Sequence, residues 1–263
     1  VTGVLEAALR ARLDRGGKCL VPYLTGGLGN DWLETVQAAA IAGADAVEIG
    51  IPFSDPVMDG PTIQLANDRA LAAGVTPQQV FDRLHRADIG VPTVVMTYGN
   101  IAYRMGYQRF AASLARSTVA GAILPDIPLE ELGPWATAAD AEAIETVLLG
   151  APTASDERLA RIAQRSRGFV YAVGLLGITG VREQLAASAK VIAKRLKAVT
   201  DLPVLVGVGV GTPRQAVEVC EEADGVVVGS AMVQRMLDGA GPDGVAELVA
   251  EFRQALDEST NHC

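Results

Sequence analysis

The chain of 263 residues has only three cysteines and two histidines, and each scarcity removes a class of chemistry. Cys19, Cys220 and Cys263 are odd in number and show no metal-ligand spacing, so free thiols in a reducing cytoplasm are expected, not a disulfide framework. His85 and His262 lie far apart, which argues against a zinc or non-haem iron site. Lysine is also scarce: Lys18, Lys190, Lys194 and Lys197 are the whole set. No run of apolar residues approaches the roughly 18 needed for a membrane span. No signal-peptide pattern opens the sequence, although a start at Val1 and not Met leaves a removed leader open. There is no basic cluster, the net charge is −9 and the pI is about 4.8, so neither nucleic acid nor an anionic membrane is expected as a partner. A small anionic substrate stays possible, because backbone N–H groups at a helix N-terminus can hold a phosphate.

What is present is an apolar fraction of 49%, enough for a large core. One stretch organises the rest, Ala-Asp-Ala-Val-Glu-Ile-Gly-Ile-Pro-Phe-Ser-Asp-Pro-Val-Met-Asp-Gly-Pro-Thr-Ile over 44–63. Its first part, 46–51, is a short apolar run that reads as a buried parallel strand. Side chains alternate along a strand, so Glu48 shares a face with Ala46 and Gly50, while Val47, Ile49 and Ile51 share the other. In a sheet covered on both sides neither face meets bulk water, and glutamate is seldom fully buried without a partner. Pro52, Asp55-Pro56 and Asp59-Gly60-Pro61 then make a stiff loop of tight turns at the C-terminal end of the strand.

Taken in order, the patterns predict an opening helix over 4–14 and a strand over 19–23, then a Gly-rich loop and a helix over 31–42. The strand at 46–51 is followed by helical patterns at 62–73 and 77–86, the latter with Thr76 as N-cap and Pro77 at its first position. Further strands are expected at 93–97, 121–124, 145–149, 168–173, 203–206 and 225–228. Their helices are expected at 106–117, from about 129, at 155–164, from 181 to about 199, at 212–222 behind Thr212, and from Ser230. A last helix should end near Leu256, leaving 257–263 as a frayed tail. Eight strand–helix units without an internal linker predict one α/β domain over 1–263, a (β/α)8 TIM barrel with an extra N-terminal helix. An open doubly wound sheet is the weaker alternative, since it would leave two edges to protect. The units after the second and sixth strands are longer than the others, and their loops are expected to be the working parts.

Glu48 has a bland reading, a structural ion pair inside the barrel, but no lysine lies at the C-terminal end of a predicted strand and no arginine within one, so a pairing cation would have to come from a loop. The alternative is an acid–base group whose proton affinity is raised by burial. Asp59 could be a turn residue alone, Asp55 a brace for its own turn, and Asp126 a loop anchor. Gly207, Gly209 and Gly211 follow the seventh strand and Gly229-Ser230 opens a helix after the eighth, where barrels often bind phosphate. No lysine stands at a strand end for a Schiff base and no histidines are placed for a metal aldolase. Two carboxylates and a phosphate cradle remain, a set suited to proton transfer on a phosphorylated substrate.

The run from Glu48 through Asp59 to Ile63 closely resembles the signature of the tryptophan synthase alpha subunit family. Val21-Pro-Tyr-Leu-Thr25, Met96-Thr-Tyr-Gly-Asn100, Pro125-Asp-Ile-Pro128, Gly177-Ile-Thr-Gly180 and Val228-Gly-Ser-Ala231 follow in the family's order, so the resemblance covers nearly the whole chain. It implies a lyase that splits indole-3-glycerol phosphate into indole and glyceraldehyde 3-phosphate, a retro-aldol step in tryptophan biosynthesis. By position, Glu48 matches the family's acid–base group and Asp59 the carboxylate that engages the indole N–H. Tyr23, Tyr98 and Tyr171 match positions lining the indole pocket, and Gly180, Gly209, Gly229 and Ser230 the phosphate cradle. Thr179 matches a lid threonine that closes onto the strand-two aspartate. The resemblance further implies a pyridoxal-phosphate beta subunit as partner in an α2β2 heterotetramer. The cofactor belongs to that partner, and none is expected in this chain.

Five positions depart from common family patterns: Leu28, Gly99, Leu175, Leu176 and Val208. None removes a catalytic group. Two variants of the reading stay in view, a non-catalytic subunit that only activates a beta partner and a partner-independent indole-producing lyase. A different phosphate-binding barrel, such as a sugar-phosphate isomerase, fits the run from Glu48 to Ile63 less well.

Overall fold

The short apolar runs must bury both faces, and here helices cover one side of the sheet while closure of the sheet buries the other. The computed structural model describes residues 2–174, 181–207 and 209–260. Among them, β1 (Cys19–Thr25), β2 (Val47–Gly50), β3 (Thr93–Met96), β4 (Val119–Ile123), β5 (Glu145–Gly150), β6 (Val170–Ala172), β7 (Val204–Val206) and β8 (Gly225–Val228) pair in sequence order. All pairs are parallel, and β8 returns to β1 to close the barrel. The helices are α1 (Val4–Leu13), α2 (Trp32–Ile41), α3 (Pro61–Ala72), α4 (Pro77–Leu84), α5 (Gly99–Met105) and α6 (Tyr107–Arg116). They continue with α7 (Gly133–Ala141), α8 (Asp156–Arg165), α9 (Val181–Lys197), α10 (Pro213–Val219), α11 (Ser230–Leu237) and α12 (Gly241–Thr260).

The strand alternation divides the core in two. Val21, Ala46, Val94, Ile123, Val147, Phe169, Leu205 and Val227 point into the barrel. Leu20, Val47, Ile49, Val95, Val204 and Val226 point outward and pack under the helices. The expected division of β2 therefore holds, with Val47, Ile49 and Ile51 outward and Ala46 inward. The two capping signals also hold. Thr76 and Thr212 each form a full capping box, with Gln79 and Gln215 as the reciprocal partners.

Several expectations need correction. α5 was not expected at all: Gly99 and Asn100 are poor helix openers, and its first N–H is satisfied from outside, by Asp126 Oδ1 at 2.7 Å. The helix after β4 starts at Gly133 and not near 129, with Pro134 in its first turn, where a missing N–H costs nothing. The extra length after β2 and β6 is taken up largely by α3, α4 and the 17-residue α9, where helical patterns were expected. α12 runs on to Thr260, so residues 257–260 are helical and not frayed. Asp257 is held there by Arg12 and Arg253.

The N-terminal end of the barrel is shut by α1. Leu5 and Leu9 are fully buried among the inward-facing residues. Its N-terminus is clamped by the carboxylate of Glu145, the first residue of β5, which accepts the N–H of Leu5 at 2.7 Å and of Glu6 at 2.9 Å. Gly3 leaves room for this, since a Cβ there would lie 2.2 Å from the Glu145 Cδ. Replacing Glu145 by Ala strands these N–H donors, the Leu5 donor in a buried setting, and should lower stability by about 1–3 kcal/mol. Urea unfolding of the Glu145→Ala chain measures this, and an unchanged midpoint would show that the clamp contributes nothing.

Candidate active site

Glu48 sits in the middle of β2, level with Tyr23 of β1 and Val94 of β3, and its side chain points into the barrel. It is fully buried, and among the described residues neither carboxyl oxygen has a hydrogen-bond partner. The ion-pair reading is therefore not what the structure shows. Burial first, and the nearby charge of Asp59 second, push its carboxyl up from 4.5 to about 8. At neutral pH such a group holds its proton yet can release it, as an acid–base catalyst must.

Asp59 lies at the end of the loop after β2, just before α3. Its carboxyl is also raised by partial burial, but hydrogen bonds from Tyr98 and Asn67 oppose this by favouring the charged form. The amide of Asn67 donates to Asp59 Oδ2 at 3.1 Å. Asn67 was not singled out from the sequence. Its signal was an amide in the small-residue stripe that α3 buries, beside Ala66 and Ala70.

Tyr98, whose family position implies a place in the indole pocket, lies next to the cavity residues Met58 and Asp59. Its ring stacks on Phe53 at 5.0 Å, and its hydroxyl accepts the Met58 N–H at 3.0 Å. It thus staples the loop of 51–60 to the end of β3. The expected minor roles hold: Asp55 accepts from Ser54 within its turn, and Asp126 anchors Gly99. The departure at Gly99 has a physical reason, since a Cβ there would lie 2.8 Å from Ile127.

One cavity of about 270 Å³ gathers Tyr23, Glu48, Asp59, Tyr171, Gly209, Gly229 and Ser230, with Met58, Ile63, Met96 and Leu149 as apolar wall. Tyr23 and Tyr171 are buried in the barrel mouth, and each lays its hydroxyl over a neighbouring glycine, Gly50 in β2 and Gly207 just after β7. Gly209 has φ +83°, a conformation that favours glycine, and Gly229 caps α11, whose first N–H groups face the mouth without helical partners. A larger neighbouring cavity, about 430 Å³, shares Met58, Leu149 and Val173 but brings no pair of carboxylates together. Thr179, Gly180, Leu175-Leu176 and Val208 lie outside the described residues. Among the described residues no group of His, Cys, Asp and Glu is disposed to hold a metal ion, and no helix is long and apolar enough to cross a membrane.

The raised carboxyl of Glu48 has a consequence for folding. Between its ordinary value of 4.5 and its folded value of about 8, the folded chain keeps a proton that the unfolded chain has released. Its contribution to stability is complete below the first value and is lost as pH rises through the second. The stability of the native chain relative to Glu48→Gln should therefore fall across that window. Urea unfolding of both at a series of pH values checks this, and a difference independent of pH would mean an ordinary carboxyl.

Comparison with known proteins agrees with this geometry. Residues 9–261 match the family model for the tryptophan synthase alpha chain. The tryptophan synthase alpha chain of Streptomyces coelicolor is 44% identical over 261 residues, covering 96% of each chain. That of Thermobifida fusca is 43% identical, again over 96% of both. Among solved structures, Mycobacterium tuberculosis tryptophan synthase superposes with a TM-score of 0.89 at 35% identity, covering 97% of this chain and 99% of that one. The Legionella pneumophila alpha chain gives 0.86 at 31%, covering 98% of each. The closed barrel, the carboxylates that meet in its mouth and the near full-length identity lead to one conclusion: this chain belongs to the tryptophan synthase alpha chain family.

Proposed function

We propose that this chain cleaves indole-3-glycerol phosphate to indole and glyceraldehyde 3-phosphate, as the alpha subunit of a tryptophan synthase. The observation that carries the reading is the fully buried carboxyl of Glu48, without a hydrogen-bond partner among the described residues, in one cavity with Asp59 and the open N-terminus of α11. In this scheme the protonated Glu48 gives its proton to indole C3. The positive charge that appears on the ring nitrogen is met by Asp59, which accepts the indole N–H. Glu48, now a carboxylate, takes the proton of the glycerol hydroxyl on the carbon attached to the ring. The C–C bond breaks, its electron pair returns to the ring, and the hydroxyl carbon becomes the aldehyde. Glu48 ends protonated, so the step balances without an external acid or base.

The other residues fit that scheme. The substrate phosphate lies against the N–H groups at Gly229 and Ser230 and the backbone at Gly209, where the helix dipole favours an anion. Tyr23, Tyr171 and the apolar wall hold the indole. Tyr98 and Asn67 fix Asp59. Thr179 and Gly180 keep in this proposal the lid and phosphate roles implied by family position. A beta subunit carrying pyridoxal phosphate is the proposed partner, in an α2β2 assembly in the cytoplasm, with no cofactor in this chain. An activating subunit without catalysis is the weaker reading, because a docking surface has no use for a carboxyl buried at 0% exposure.

Glu48→Gln and Asp59→Asn should each slow indole release from indole-3-glycerol phosphate by about 10²-fold or more, while the fold is kept. Near-normal release by the Glu48→Gln chain would sink the mechanism. The phosphate site is tested by titrating glycerol phosphate and following backbone amides by NMR. Shifts are expected at Gly209 and Ser230, and their absence would remove this cradle from the scheme.

A further inference from the structure

Gly50 is not explained by its backbone. It is absent from the glycines with positive φ, so any residue could adopt its conformation in β2. What forbids a side chain there is Tyr23. A Cβ on Gly50 would lie 1.8 Å from the Tyr23 hydroxyl oxygen, 2.4 Å from Cζ and 2.8 Å from Cε2. The ring cannot simply swing away, because Tyr23 is 6% exposed and packs among the inward-facing residues. Its other side is near Gly229, where an added Cβ would come within 3.8 Å of the tyrosine Cβ. Tyr23 is level with Glu48 across the β1–β2 pair, and Gly50 is two residues beyond Glu48 on the same face. The phenol therefore runs along the neighbouring strand past Glu48 and ends over Gly50.

We infer that Gly50 and Tyr23 act as one positioning unit for Glu48: the bare Cα of Gly50 seats the phenol, and the seated ring keeps the carboxyl dry. The inference rests on the lyase reading only for the part of its test that uses activity. Among the described residues, the ionisable groups that face Glu48 are Asp59 from the loop after β2, Tyr23 from β1 and Tyr171 from β6, while β3 presents Val94 and Met96. None of these is a cation that could lower its proton affinity, so exclusion of water is the first cause that raises it and the charge of Asp59 the second. Tyr23 itself stays protonated, since burial and the two carboxylates raise its phenol well above the ordinary value.

The test uses Gly50→Ala, Tyr23→Leu and the double variant in the full chain. Leucine lacks the outer ring atoms, so it leaves space for the alanine Cβ. Gly50→Ala should lower kcat for indole release by about 10²-fold, the effect of a displaced wall beside the reacting group. The double variant should recover to within about tenfold of the native chain, a large departure from additivity. Independently of activity, carbon-13 NMR titration of the Glu48 carboxyl should fall from about 8 toward the ordinary carboxylate range in each single variant and move back up in the double. A Gly50→Ala chain with native kcat and native titration overturns the inference, and so do losses that simply add in the double variant. Should Gly50→Ala fail to fold, an unchanged Glu48 titration in Tyr23→Leu overturns it equally. A native chain that releases no indole would remove the lyase reading, and the carboxyl titrations would still decide the pairing.

Discussion

Holding the Glu48 carboxyl inside the barrel costs free energy that no ion pair returns, since its two oxygens have no hydrogen-bond partner among the described residues. The cost is kept moderate by the proton. A neutral carboxyl left unsatisfied costs about 1–3 kcal/mol, whereas an isolated buried charge would cost far more. One or two aliphatic side chains buried in the core, at about 1.5–3 kcal/mol each, offset it. The surrounding core holds many such residues on both sides of the sheet. The barrel can therefore carry a strained acid where a two-stranded element could not, and the raised proton affinity follows from the same burial.

The second carboxylate is treated differently. Asp59 is only partly buried and is given donors, Asn67 from α3 and Tyr98 from the end of β3, which oppose the upward push of burial. Two acids in one cavity thus differ in character, one dry and without donors, the other hydrogen-bonded, a structural basis for separate acid–base and electrostatic roles. The rim that achieves this is built from contacts between loops. Asp126 fixes the start of α5, α5 follows Tyr98, and Tyr98 fixes Phe53 and Met58 in the loop that carries Asp59. A disturbance of the loop after β4 would be felt at Asp59 through this chain of contacts.

The two ends of the barrel divide the work. At the N-terminal end Asp45 takes the Leu20 N–H at 2.8 Å and pairs with Arg253 at 3.2 Å, tying the last helix to the first two strands. Glu145 and the α1 leucines close the same end. These groups hold the helices and the strand ends together. The C-terminal end carries the unpartnered carboxyl and the open helix N-terminus, as is usual for this architecture.

Much of this was legible in the sequence because it is local. Strand and helix periods, the capping signals at Thr76 and Thr212, the inward direction of Glu48 and the glycines at 209 and 229 all depend on neighbours within a few residues. The order of eight units then left one good closure, and the run from Glu48 to Ile63 marked the family. What tertiary structure alone decided depends on partners distant in the chain. α5 exists because Asp126, 27 residues away, caps it. Tyr98 holds the loop of Asp59 because Phe53 and Met58 offer it a stack and a donor. Gly50 is glycine because a phenol from β1 fills its place, and Asn67 matters because α3 aims it at Asp59. Such pairings carry no periodicity, so they become visible only when the barrel closes and brings the two residues together.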